Sequence, residues 1–166
     1  MMKRLILPIT LLMLVLCQSC SKPNEEIKLE KYGITLTGPK LSAAPEYTDL
    51  KVSETDTELS RYDFNMGGHA RVNVIEITPS VYPADLDMLK KAITGSEDFV
   101  EMIDTKKLAN GAFGVIYKEK GSDGKSIIKN YVFYFKKGDR CFRMEPVFNS
   151  ELKDLDNQVG AWESMK

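Results

Sequence analysis

The segment from Ser126 to Lys137, SIIKNYVFYFKK, narrows the possible folds more than any other part of this chain. β-branched and aromatic residues dominate it, and a pleated strand sends successive side chains to opposite sides. Tyr131, Phe133 and Phe135 therefore share one face, while Val132 and Tyr134 share the other. Both faces are apolar, so this strand is expected inside a sheet that is covered on both sides. Upstream, GAFGVIYKEK puts Phe113, Val115 and Tyr117 on one side and Lys118 and Lys120 on the other, and GSDGK supplies the turn between the two runs. KGDR turns the chain again, and Cys141 to Phe148 reads as the third strand of a meander. Pro146 cannot donate a ladder hydrogen bond, so its strand ends there or lies at an edge.

Two helices are expected around this meander. In YPADLDMLKKAITG, Pro83 suits the first helical position. Asp85 and Asp87 complement the positive end of the helix, Lys90 and Lys91 the negative end, and Gly95 fits the stop. Leu86, Leu89 and Ile93 then form one stripe. Near the C-terminus, Asn149 or Ser150 can cap a helix whose Leu152, Leu155, Val159 and Trp162 recur at steps of three and four. Between residues 27 and 78, Ile34 and Leu36 alternate in a strand that stops at Gly38-Pro39. LKVSETDTELSRYDFNM reads as one or two strands and ARVNVIEI as another, with a hairpin at Gly67-Gly68. SEDFVEMIDTKKLANG fits a strand as well as a helix before its Asn110-Gly111 turn. The order gives an α+β fold: an antiparallel sheet of about five to seven strands, with a mid-chain helix and a C-terminal helix packed on it.

The N-terminus carries a different signal. Lys3 and Arg4 precede a mostly apolar run from Leu5 to Cys17, the layout of an export signal and shorter than the roughly 20 residues a spanning helix needs. Small Ser19 directly precedes Cys20. This resembles the lipobox of bacterial lipoproteins, in which the cysteine is joined to diacylglycerol, becomes the first residue after cleavage and is then N-acylated. Cys17 does not fit, because bulky Leu16 would occupy the position before the cut. The resemblance implies a signal peptide over 1–19, a lipidated tether over 20–26 and a single α+β domain over 27–166. Ser21 stands where inner-membrane retention would place Asp, which implies transfer to the outer membrane. SKPNEE is similar to the leaders of surface-displayed lipoproteins, so the periplasmic face and the cell surface are both open. With Cys17 removed and Cys20 acylated, Cys141 has no partner, and the domain is expected to hold without an internal disulfide, Cys141 acting as a small buried hydrophobe.

Charge is unevenly distributed. The chain is formally −1, yet residues 21–104 carry 9 basic and 16 acidic groups, whereas residues 105–145 carry 10 and 4. The basic stretch alternates with aromatics, which makes Lys118, Lys120, Lys129, Tyr131, Tyr134, Arg140 and Arg143 a candidate interaction face. The competing expectation is a solvated row of a sheet with its aromatic rings in the core. A net acidic, exported domain is not expected to bind nucleic acid.

Signatures of chemistry are sparse. His69, in MGGHAR, is the single histidine and has no second His or Cys cluster beside it, so no metal site is expected. No Gly-x-Ser-x-Gly elbow accompanies it. The two DLD pieces, Asp85–Asp87 and Asp154–Asp156, fall on expected helices, where neighbours two apart diverge by about 200 degrees. ANGAFG and GSDGK lack phosphate-loop spacing, and no cofactor is expected. YGITLTGP near the start, a mid-chain helix, the Asn-Gly turn before AFGVIYKEK, the Tyr and Phe strand and a closing AWESMK together resemble the photosystem PsbP and Mog1 superfamily in layout. That resemblance implies a non-catalytic binding or assembly domain. Joined to the lipobox, it gives a membrane-anchored module of the cell envelope with a protein partner, an accessory part of a secretion or surface complex. The alternative is a small periplasmic or surface enzyme with an unrecognised active site.

Overall fold

The structure, a computed structural model, describes residues 24–66, 71–147 and 155–166, with side chains from 158 onward in the last stretch. The signal and lipobox, Gly67-Gly68, His69, the cap at Asn149 or Ser150, Leu152 and the side chain of Leu155 lie outside the described residues. The strands are β1 (Asn24–Leu29), β2 (Ile34–Pro39), β3 (Glu46–Asp49), β4 (Glu58–Asn65), β5 (Arg71–Ile77), β6 (Phe99–Lys107), β7 (Phe113–Lys120), β8 (Ile127–Lys137) and β9 (Arg140–Pro146). Helix α1 (Leu86–Thr94) lies between β5 and β6, and α2 (Leu155–Glu163) closes the chain.

Seven strands form one antiparallel sheet in the order β3-β4-β5-β9-β8-β7-β6, and β1 and β2 form a separate two-stranded ribbon. The fold is α+β. The β7-β8-β9 meander stands as the alternation dictates, and β9 pairs with β5 to join it to the β4-β5 pair. Because β8 is central, both of its faces are covered. Tyr131, Phe133 and Phe135 enter a large core with Tyr62, Phe64, Val72, Val74, Phe142 and Met144, roofed by Ile27, Leu29, Ile34 and Leu36 of the ribbon and Trp162 of α2. Val132 and Tyr134 face the other way, into a smaller core with Val115, Tyr117, Leu89 and Ile93 beneath α1.

Short contacts fix these layers. In the 3-10 turn between β1 and β2, the ring of Tyr32 is wholly buried; it meets the Tyr62 ring edge-on at 4.9 Å, and its hydroxyl bonds Ser60 Oγ at 3.0 Å. Asn110 Nδ2 donates to the Trp162 carbonyl at 2.7 Å while its Oδ1 accepts from Ala112 N–H at 3.0 Å, so the expected Asn-Gly turn also pins α2. The terminal Lys166 exchanges backbone hydrogen bonds with Thr35 of β2.

Four local expectations change. Helix α1 begins at Leu86 rather than at Pro83, because the Asp85 carboxylate accepts from Met88 N–H at 2.8 Å and serves as the N-cap. The ambiguous 96–111 segment resolves as strand β6, which pairs with β7 along its length. Residues 24–26, expected in the tether, belong to β1: Asn24, Glu25 and Glu26 pair with Pro39, Gly38 and Thr37. The short, wholly exposed strand β3 was not expected, since it buries nothing that would create an apolar alternation.

Candidate functional site

Arg143 and Tyr134 are the two members of the expected interaction face that lie on the α1 side of the sheet. They sit opposite each other on β9 and β8. Helix α1 and the preceding turn cover only part of that side. The turn residue Tyr82 packs on Ile75 and Ile77 of β5 and on Cys141 of β9, so among the described residues the less covered part of this side is the β3-β4 margin. Strand register then builds two rows across this side of the sheet. One runs across Glu46, Asp63, Asn73 and Glu145, and the next across Thr48, Arg61, Ile75 and Arg143.

The second row supplies cations that the first row and its neighbours engage. Arg61 Nε donates to Asp63 Oδ2 at 2.7 Å. Arg143 Nη2 bonds Glu58 across the β4 bulge and reaches Glu145 Oε1 at 3.3 Å, while Arg143 Nε lies 2.9 Å from Glu145 Oε2 at an angle too poor for a hydrogen bond. Burial would lower the pKa of Arg143, but Glu145 and Glu58 outweigh it and hold the guanidinium charged above its ordinary value. Glu145 moves up from the usual carboxylate range because burial penalises its charge more than Arg143 rescues it. Tyr134 is likewise pushed up by burial. In the same row Asn73 is 9% exposed, and its Oδ1 has no hydrogen-bond partner. A buried acceptor without a donor costs of order 1–3 kcal/mol, so this oxygen favours any donor that reaches it. At the corner of this surface a hollow of about 340 Å³ opens between Ala43, Ala44, Glu46, Asp63, Asn65 and Arg71.

The other five members of the expected face share the opposite side of the sheet, where Lys118 and Lys129 are cross-strand partners. Tyr131 is 0% exposed and points into the large core, where burial raises its pKa. Lys118, Lys120, Lys129 and Arg140 occupy positions on the opposite side of the sheet from Arg143, because each sits at the other parity of its strand. Lys118 pairs with Glu101 at 2.7 Å. Arg140 makes a fork onto Glu76, Nε to Oε1 and Nη2 to Oε2, each at 2.7 Å, and its Nη1 donates to the Lys31 carbonyl. Three cations of the meander, Lys118, Arg140 and Arg143, are thus matched by carboxylates of β6, β5 and β4. Asn73 and Glu58 escaped sequence reading because their significance comes from cross-strand register. A polar residue within the apolar run RVNVIEI was the available signal.

Among the described residues, no group of three or more His, Cys, Asp or Glu side chains is placed to hold a metal ion. No helix among them is long and apolar enough to cross a membrane. Cys141 is buried, and burial raises its thiol pKa. Neither a protein-family model nor a curated protein matches the chain.

Proposed function

We propose that this protein is a bacterial lipoprotein, held on the outer membrane through acylated Cys20, whose domain is a non-catalytic binding or assembly module of the cell envelope. The observation that carries the binding reading is the polar row Asp63, Asn73 and Glu145 on the α1 side of the sheet, in which Arg61 and Arg143 engage the two carboxylates and the buried Asn73 Oδ1 is left without a partner. Such a row suits a donor-rich protein segment, one offering Lys, Arg or backbone N–H groups. The basic residues of the expected interaction face are engaged by carboxylates, as Lys118, Arg140 and Arg143 are, or lie on the other side of the sheet. The anchor reading rests on the charge-then-apolar leader and the Ser19-Cys20 pair, and it agrees with the resemblance to lipoprotein members of the PsbP and Mog1 superfamily. The accessory role in a secretion or surface complex belongs to the same proposal.

The test is affinity purification of the full-length protein from detergent-solubilised envelopes, set beside an Asn73→Leu, Asp63→Asn double variant and a remote Lys107→Gln control. A co-purifying protein that is retained by the wild type and the control but lost by the double variant is the expected result. Equal recovery with all three, or recovery of the protein alone, contradicts the proposed face.

A further inference from the structure

The start of β1 has a consequence for how an anchored domain would stand. Only Ser21, Lys22 and Pro23 separate Cys20 from Asn24, the first residue of β1. Four residue steps, fully extended, span at most about 14 Å. Asn24 pairs with Pro39, so that end of the ribbon, with Lys40 beside it, cannot lie further than this from the acylated cysteine. The opposite end of the ribbon is the turn before Ile34, and five strand steps put it about 17 Å away along β1. Lys137 Nζ donates to the Gly33 carbonyl there, which ties the β8-β9 turn to that distant end.

The tether limits height, and the carboxylates at the far end of β3 disfavour one tilt. Lying on the far end of its β3 flank would bring the exposed Asp49 and Glu54 onto the bilayer. Carboxylates are repelled by an anionic headgroup layer, whereas Lys and Arg are attracted to it. The Asn24 end presents a mixed set instead, exposed Lys40 beside Glu25 and Glu26, and exposed Arg71 faces Glu46 across the neighbouring hollow. We propose that the Asn24–Lys40 end of the domain rests against the lipid headgroups, with the Lys137–Arg140 turn directed away from the membrane. The hollow beside Glu46 and Arg71, and the acceptor row that continues from it, then open at headgroup height. A partner would be met close to the bilayer, through its membrane-adjacent part.

This inference rests on the acylation of Cys20, and its experiment separates the two. Full-length acylated protein carrying a fluorophore on Lys40→Cys or on Asp139→Cys is reconstituted into phosphatidylethanolamine and phosphatidylglycerol vesicles containing a headgroup quencher. Cys141 is 0% exposed and does not compete for label. The expected result is a large loss of fluorescence at position 40 and little at position 139. Equal quenching, or stronger quenching at 139, in protein whose mass includes the acyl chains overturns the orientation and leaves the anchor standing. Protein without acyl chains overturns both. Inserting ten Gly and Ser residues between Pro23 and Asn24 should erase the difference between the two labels. A difference that survives the insertion shows that the tether does not set the orientation.

Discussion

At Gly114 a single hydrogen is all the space allows. A Cβ built there would come within 2.4 Å of both Phe133 Cδ1 and the Val132 carbonyl oxygen, so β7 and β8 pack at this point only because one side chain is missing. Gly114→Ala is expected to destabilise the domain by about 1–3 kcal/mol, the usual cost of overpacking a filled core, as read by urea denaturation. Gly111→Ala is no substitute control, since its φ of 86° lies in the left-handed region. Glu145 makes a second residue-scale prediction, in pH. Its pKa is raised in the folded state by burial, so the folded chain binds that proton more tightly than the unfolded chain does. Stability from this group therefore falls as pH rises from the unfolded carboxylate value, about 4.3, through the raised folded value. Denaturant unfolding across that window should show the wild type losing stability with rising pH relative to Glu145→Gln. A difference between the two proteins that is flat with pH contradicts the assignment.

Among the elements, α1 shows what caps contribute. Its Asp85 carboxylate satisfies an N–H that the helix itself cannot, and Asp87 and Lys90 pair at 3.0 Å one turn on. Asp85→Ala should cost about 1 kcal/mol and raise hydrogen exchange in the first turn of α1 before it does so in β8. Unchanged exchange there would remove the cap from the account. Strand β6 shows how a sheet edge is protected. Register shifts at Val100 and Ile103 place two bulges in nine residues, which spoils the edge as a template for a further strand. The sequence disclosed some elements better than others for the same physical reason. β7 and β8 bury their rings in strict alternation, so their faces were legible. β6 interrupts its alternation at both bulges, and β3 has all four residues exposed, so neither left a clean period. The site was less legible still. Arg143 and Tyr134 stood out by type, but Tyr131 and Arg140 fall on the other side of the sheet, and Glu58, Asp63 and Asn73 join Arg143 only through long-range pairing.

For the whole molecule, three layers account for the arrangement: ribbon and α2, then the seven-stranded sheet, then α1. The outer layers cover different extents of the sheet. The ribbon and Trp162 help close a core that includes residues of β4, β5, β7, β8 and β9, whereas α1 packs on β6 and β7 and the turn before it reaches β5 through Tyr82, which leaves the β3-β4 margin the least covered among the described residues. On the function proposed above, that margin would offer a polar surface to a partner, and the Ser19-Cys20 leader would carry the surface to a membrane. Each buried methylene of an acyl chain contributes about 0.8 kcal/mol, so several chains hold a protein at a bilayer almost irreversibly. Intact-mass analysis of the protein from its native cells tests this most directly. The account requires a mature chain whose first residue is Cys20, bearing a diacylglyceryl group and an N-linked acyl chain; a chain that begins elsewhere and carries no fatty acid would contradict it.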